Sequence, residues 1–503
     1  MPEYGLMVIK RQIAAVVYPE SMQTTVNAVI AGTLARTLSA QLIETHISWV
    51  LLAGDIAYKI KKAVRLPFID YGTLAKRQHF CDEELRLNQK LAPSLYLGVT
   101  RITGTPQAPG LDGPGPVLEY AVRMRRFAPG ALFSEQLAAG TLRAGDADQL
   151  AALLAGFHAL APRADPAEGF ATVERRRGSA LAACDGTRPL ASNDGEHALL
   201  RAWLQAESDR LAPLWAARRA DGHVRECHGD LHLANVLSLG GQVAAFDCIE
   251  FDPALRWIDV LDDAAFVVMD FSASGRNDLA FRFLNGWLDR TGDHGSLPAL
   301  RFSVVYRALV RAQVEHLRKP DSAAARHYLK TALAWTRPGE PQLLITHGLP
   351  GSGKTFASQG LLEQLGALRL RSDVERKRLF GLGMLEDSRS KGLDLYGADA
   401  TARTYCQLFA TARSALQAGY PVILDAAFLR RAERAQAHTL ARELGVPFSI
   451  VACEAPLALL QTRLLARRGD ASEADAAALE LLRAQLEPLT DDEHALVYPG
   501  VRL

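Results

Sequence analysis

The sequence predicts two folds in series. The first is an α+β domain of two lobes over residues 1–337, with a small β-rich lobe at about 40–125 and a helical lobe at about 128–335. The second is an α/β domain on a parallel sheet over residues 338–503. Three observations predict this. A chain of 503 residues is too long for one ordinary core. Its first part reads as strands followed by long Ala/Leu-rich helices, the order of an α+β fold. Its last part alternates short apolar strands with helices, which implies a parallel sheet covered on both faces.

The elements follow in order. "HISWVLLAGDIAYKIKKAV" holds two apolar runs around Gly54-Asp55, a hairpin signal. "CDEELRLNQKLA" spaces Leu85, Leu87 and Leu91 as a helix does, and "GPVLEYAVRMRRF" is a further strand. "TGTPQAPGLDGPGP" and "ACDGTRPLASNDGE" read as surface loops. "DADQLAALLAGFHALA" is typical of the helices that follow. In "AWTRPGEPQLLITHG" two prolines and a glycine end a helical stretch, which sets the boundary at about residue 338. Beyond it, "QLLITHG", "LRLRSD", "PVILDAAF" and "PFSIVACEA" are the strands of the second domain.

Composition narrows the function classes. Apolar residues make up 49% and charged residues 22%, ordinary for a globular protein, and a net charge of +1 gives no bulk attraction to nucleic acid or acidic membranes. The six cysteines are scattered without a C-x-x-C pair, which reads as reduced thiols. No apolar run approaches the ~20 residues of a membrane span. "MPEYGLMVIKRQIAAVVYPE" lacks a secretory apolar region. A cytoplasmic location is the expectation.

"GLPGSGKT", Gly348 to Thr355, fits G-x-x-x-x-G-K-[ST] and sits between a strand and a helix, the setting of a P-loop. Gly348, Gly351, Ser352 and Gly353 would let backbone N–H groups curl around phosphate at a helix N-terminus. Lys354 would reach the β- and γ-phosphates of ATP or GTP, and Thr355 would bind Mg²⁺. Asp425 closes the strand "VILD" and is the second Mg²⁺ candidate. In "RSDVERKRLFG", Asp373 is positioned to take a proton from an acceptor hydroxyl and Arg376 to hold an anionic group. The bland alternative for this pair is a helix cap and a surface charge. Arg463 and Arg467, four apart, share a helical face from which they would reach the transferred phosphoryl group, the alternative being a solvated face. Arg434, nine residues past Asp425, is a further substrate-contact candidate. This half resembles small P-loop kinases over about residues 341–475.

"ECHGDLHLANV" packs Cys227, His228, Asp230 and His232 into six residues. A structural zinc site would want a second Cys/His pair nearby, and Gly229 interrupts helical spacing of the histidines. "HGDLHLAN" instead matches H-x-D-x-x-x-x-N, the spacing of a kinase catalytic loop. Asp230 would be the base and Asn235 a Mg²⁺ ligand. Asp247, seventeen residues after Asp230 and past a turn at Gly240-Gly241, would be the second ligand. "IAYK" nominates Lys59 to hold ATP, with Lys61 a rival on the same strand face, and "DEELRLN" nominates Glu84 as its partner, with Glu83 the alternative. His228 would support the loop, His232 is a substrate-contact candidate, and Asp259 would anchor the loop through backbone N–H groups. No G-x-G-x-x-G precedes Lys59, Asp247-Cys248-Ile249 replaces D-F-G, and no A-P-E follows.

"HGDLHLAN", "FDCIEFDP" and "RWIDVLDD" resemble the aminoglycoside phosphotransferase-like branch of the kinase fold. With "ETHISWVLLAGDIAYKIKK" and "LRSDVERKRLFG", the chain resembles, over about residues 40–490, a bacterial family of bifunctional aminoglycoside phosphotransferase/ATP-binding proteins. The resemblance implies a kinase-like domain of two lobes, a P-loop domain, ATP and Mg²⁺. The expected activity is an ATP-dependent phosphotransferase with two modules, the first acting on a hydroxyl of a small molecule, the second a small-molecule or nucleotide kinase. One alternative makes one module a ligand sensor for the other. Another makes the C-terminal domain a nucleic-acid end-processing kinase, for which "VERKR" is the basic feature. No membrane partner is expected.

Overall fold

The computed structural model describes residues 22–66, 69–320, 322–393, 395–467 and 469–499. The N-terminal stretch read as lacking a secretory apolar region lies outside the described residues. The chain forms two compact units. One holds residues up to Gly275 together with Phe302–Thr336, and the other holds Arg276–Arg301 and the residues from Arg337 on. Among the described residues no helix is long and apolar enough to cross a membrane.

In the first unit a six-stranded antiparallel sheet runs Gln41–Glu44, Ser48–Ala53, Ile56–Lys61, Val117–Arg125, Tyr96–Thr105, Ala108–Leu111. Ala53 pairs with Ile56, so Gly54-Asp55 is the tight hairpin turn the sequence predicts, with Gly54 at φ +55°. Ser48–Ala53 is buried almost throughout and apolar after Ser48 because both sheet faces are covered. On one face Ile30 and Leu34 of the helix Met22–Thr37 pack against Trp49, Leu51 and Ile60. On the other, Val50, Val122 and Met124 pack with Cys81 of the helix Leu74–Asn88 and with Phe246. Thr73 caps that helix by accepting the Lys76 N–H.

The stretch expected as a loop around Pro106 is instead a hairpin, with Thr105 opposite Ala108. Ala108–Leu111 is an edge strand, where a proline such as Pro109 is tolerated. In the helical lobe, Val260–Ala273 is buried along almost its whole length. A charged residue on it must therefore find a partner inside the protein.

The second unit is built on a parallel sheet in the order Leu368–Arg371, Val422–Asp425, Leu343–His347, Phe448–Ala452. The strand ending in Asp425 is hydrogen-bonded directly to the strand that leads into "GLPGSGKT", so Asp425 emerges beside the P-loop. The helix Asn277–Thr291 folds with this unit. Its Asn285 side chain donates to Ala367 O at 2.9 Å and accepts the Arg369 N–H at 2.6 Å, beside the outer strand.

Candidate functional sites

Alternation along Ile56–Lys61 turns Lys59 and Lys61 to the face covered by the helix Leu74–Asn88. Lys59, 2% exposed, donates to Glu84 Oε1 at 2.5 Å and to Asp247 Oδ1 at 2.7 Å. Lys61 donates to Glu84 Oε2 at 2.6 Å and to Glu250 Oε1 at 2.5 Å, and the Tyr71 hydroxyl donates to the same Glu250 oxygen at 2.6 Å. Glu84 thus serves both candidate lysines, but Lys59 ties it to Asp247. Glu83 faces Arg86 and Arg256 instead, and the Arg86 guanidinium holds its carboxyl below the usual range.

Asp247 follows the hairpin Val236–Leu239/Gln242–Ala245, whose turn residues Gly240 and Gly241 stand at φ +60° and +81°, as a two-residue turn of this kind requires. Val236 pairs with Ala245, and the Phe246 N–H donates to Asn235 O at 3.0 Å. Asn235 and Asp247 therefore leave the same end of one hairpin. Asp247 itself has φ +66°, a conformation costly for a non-glycine residue and held here by its surroundings. The Tyr96 hydroxyl accepts its N–H at 3.3 Å, and Asn88 Oδ1 accepts the next N–H at 2.9 Å.

Asp230 lies on a buried loop that is fixed from beneath. His228 Nε2 lies 2.8 Å from Phe246 O, which can only accept, so Nε2 carries the proton and Nδ1 accepts the Asp230 N–H at 3.3 Å. Burial pushes the His228 pKa down, which keeps this neutral form. Gly229 at φ +85° has no room for a side chain, because a Cβ would stand 2.6 Å from Leu255 O. The Asn235 amide donates to Asp230 O at 3.0 Å, which leaves its carbonyl oxygen available to a cation. Asp230, Asn235 and Asp247 are an oxygen-donor set of the kind Mg²⁺ takes, and Asn235 and Asp247 are the pair that could hold it.

Asp259 does not anchor this loop. Its carboxylate takes Arg218 Nε and Nη2 at 2.8 and 2.7 Å and caps its own helix through the Leu261 N–H. The loop is held by two other acids of the helix Val260–Ala273. Asp263 accepts the His228 and Gly229 N–H groups at 3.0 and 2.9 Å, and Asp270 accepts the Leu233 N–H at 2.8 Å. Their spacing in a strongly apolar stretch, "DDAAFVVMD", was the available signal. Cys227, His158 and Asp263 also converge, but both Asp263 oxygens are engaged by loop amides and burial keeps the Cys227 thiol protonated.

Burial raises the Asp259 pKa and the Arg218 guanidinium more than reverses this, holding it at about 2 against 3.8 unperturbed. A depressed carboxylate stabilises the folded state above its unfolded pKa and loses that contribution as pH falls through the folded one. The first unit is therefore expected to lose stability between about pH 4 and pH 2. Arg218→Met should flatten that part of the unfolding profile measured by circular dichroism; an unchanged profile would count against the assignment.

In the second unit, Gly348 and Gly351 stand at φ +143° and +84°, and a Cβ on Gly348 would come 2.2 Å from Cys453 O. The Lys354 ammonium donates to the loop's own carbonyls, Gly348 O at 3.0 Å and Leu349 O at 2.9 Å. Burial lowers its pKa while Asp425 and Asp373 act against that. Ser358 Oγ lies 3.1 Å from Asp425 Oδ2, which sets Asp425 beside the helix Lys354–Leu365 that Thr355 helps to open. A cavity of about 1620 Å³ opens here, lined by Gly351, Gly353, Lys354, Thr355, Asp373 and Asp425 and also by Arg376, Arg463 and Arg467. Ser352 is buried behind the loop.

The arginines differ in freedom. Arg463 donates to Gly351 O at 3.0 Å. Arg467 stands just past the end of the helix Leu457–Ala466, not on its face, with Nε 3.6 Å from Asp470. Arg376 donates to Leu395 O and Thr401 Oγ1 at 2.7 and 3.0 Å and lies over Tyr396, so it builds the cavity wall. Arg434 is a correction. It is 1% exposed, does not line the cavity, and holds Glu493 through Nε and Nη2 at 2.7 and 2.9 Å while capping Leu429 O and Glu487 O. The helix Arg431–Leu444 turns that face to the C-terminal segment, not to the P-loop. Arg434→Ala should destabilise the second unit by roughly 3–5 kcal/mol, the cost of breaking a buried pair. Thermal unfolding would read this, and an unchanged midpoint would speak against it.

Residues 73–300 match the family model described as "Phosphotransferase enzyme family", and residues 343–489 match the one described as "AAA domain". Curated relatives include the uncharacterized protein Rv2004c of Mycobacterium tuberculosis (strain ATCC 25618 / H37Rv) and the uncharacterized protein Mb2027c of Mycobacterium bovis (strain ATCC BAA-935 / AF2122/97). Each is 33% identical over 453 residues, covering 88% of this chain and 89% of the relative. Among solved structures, a putative kinase from Chloroflexus aurantiacus is similar at 27% identity over 30% of this chain and 83% of its own, with a TM-score of 0.24. A gluconokinase from Sinorhizobium meliloti 1021 is similar at 19% identity over 30% and 77%, with a TM-score of 0.23. The chain belongs to the family of these mycobacterial relatives, and in it a phosphotransferase-family domain of the kinase type precedes a P-loop domain.

Proposed function

We propose that the first unit transfers the γ-phosphoryl group of ATP to a hydroxyl of a small molecule. The observation that carries this is Lys59, whose ammonium links Glu84 to Asp247 across three separate segments of the chain. Lys59 binds the nucleotide phosphates, and Glu84 orients it. Asn235 and Asp247 hold Mg²⁺, which neutralises phosphate charge when bound. Asp230 takes the proton of the acceptor hydroxyl, on a loop that His228, Asp263 and Asp270 keep still.

The second unit, in the same reading, binds ATP or GTP through Gly348 to Thr355 and phosphorylates a second small molecule. Thr355 and Asp425 hold Mg²⁺, Asp373 faces the acceptor hydroxyl, and Arg463 and Arg467 face the transferred group from the cavity wall. The free state of all six cysteines supports a cytoplasmic setting. The test is a metabolite-extract screen with labelled ATP on the full chain and on its Asp230→Asn and Lys354→Ala variants. Each variant should lose a different set of labelled products; identical product sets in all three proteins would overturn both assignments.

A further inference from the structure

Beside Asp230 the structure leaves charged and polar donors that the phosphoryl-transfer machinery does not use. Arg311, on the helix Leu297–Arg318, is 3% exposed. Its Nη2 donates to Glu315 Oε1 at 2.9 Å, while Nε and Nη1 are buried with no hydrogen-bond partner. The guanidinium carbon lies 5.5 Å over the Tyr328 ring, the Tyr328 hydroxyl donates to Asp270 Oδ1 at 2.7 Å, and the other Asp270 oxygen accepts the Leu233 N–H of the catalytic loop. Two residues, Tyr328 and Asp270, therefore link Arg311 to the loop that carries Asp230.

His232 completes the set from inside that loop. It is 2% exposed, and its Nδ1 accepts the Ala234 N–H at 3.1 Å, so the proton of the neutral ring sits on Nε2. That nitrogen is buried without a partner, 4.0 Å from Asp230 Oδ2. Arg311 opposes a charge on this ring, as burial does, so it stays a neutral donor. Buried donors are left unpaired only rarely in folded proteins. Here three such nitrogens lie on two side chains near one carboxylate, His232 4.0 Å from Asp230 and Arg311 close enough to feel its charge.

Resting on the reading of the first unit as a phosphotransferase, we propose that its acceptor is a small hydroxylated anion, with its oxyanion group held by Arg311 and its reacting end oriented by His232 against Asp230. An oxyanion is the partner that best satisfies a desolvated guanidinium. A cationic acceptor would set like charge against Arg311. The neighbouring Asp270 and Glu315 do not serve a cation in its place, because Tyr328, Leu233 and Arg311 already engage them. Carboxylate and phosphate share the required chemistry, and either would fill the role.

The experiment labels a metabolite extract with the full-length protein and γ-labelled ATP after the extract has been divided on an anion exchanger. Label lost in Asp230→Asn should appear in the retained, anionic fraction. Phosphatase treatment of that fraction before labelling removes the acceptor if its anion is a phosphate and spares it if a carboxylate. Arg311→Gln should raise the KM for the anionic fraction roughly 10- to 100-fold, the span of one charge-assisted hydrogen bond, with the KM for ATP unchanged. Arg311→Lys, which keeps the charge, should recover part of this, and it replaces the Gln variant if thermal melting finds that variant unfolded. Asp230-dependent label confined to the unretained fraction would overturn the anion assignment and leave the phosphotransferase reading standing. So would an unchanged KM in both Arg311 variants. Absence of any Asp230-dependent label would overturn both.

Discussion

Asp230→Asn is expected to lower phosphoryl transfer by the first unit by roughly 10²–10⁴-fold, the usual contribution of a positioned general base. The substitution keeps the shape of the side chain. The loop's supports act on backbone atoms: Asn235 donates to Asp230 O, and Asp230 N–H donates to His228. The fold and the KM for ATP should therefore be unaffected, with the loss falling on kcat. Steady-state kinetics on the acceptor found by the extract screen would measure this, and near-wild-type kcat in the variant would refute the role.

Glu84→Ala is expected to be the most destabilising of the single substitutions in the small lobe, by about 3–5 kcal/mol. Glu84 is fully buried, as is Lys61, and Lys59 is nearly so. Removing the carboxylate leaves two ammonium groups side by side, each having lost one of its carboxylate partners, with Asp247 paired to Lys59 and Glu250 to Lys61. Their Coulomb repulsion in a medium of low effective dielectric adds to the desolvation penalty. Glu84→Gln, which keeps the volume and an acceptor oxygen, should cost less. Denaturant unfolding of both variants tests the order, and a Glu84→Ala protein as stable as the parent would count decisively against this network.

What could be read in advance was local. Lys59, Glu84, Asp230, Asn235 and Asp247 were nominated from short spacings around single strands, turns and helices, and the structure brings Lys59, Glu84 and Asp247 into contact. "GLPGSGKT" was legible because phosphate-cradling backbone needs glycine at fixed positions. What could not be read depends on partners far away in sequence. Asp263 reaches back 34 residues to Gly229, and Lys61 reaches forward 189 residues to Glu250. Periodicity announces that the helix Asn277–Thr291 has an apolar face but not which sheet it covers. Arg434 misled for a similar reason: its distance from Asp425 along the chain was read as proximity to phosphate, whereas its helix turns it toward Glu493. Asp259 and Asp263 have equal claims in the sequence, and only the position of Arg218 decides between them.

The assignment of Arg276–Arg301 to the P-loop unit, while Phe302–Thr336 returns to the kinase-like one, has a practical side. No single cleavage of the chain liberates both units whole. A fragment begun at residue 338 loses the Asn285 amide, and with it the partners of Ala367 O and of the Arg369 N–H at the outer edge of the sheet. Gene truncation at the apparent linker should thus yield an insoluble or protease-sensitive C-terminal piece, whereas a fragment beginning before Arg276 should keep its edge strand covered. By the same token, a lineage that exchanged one half of this protein for another would have had to inherit a helix from its neighbour.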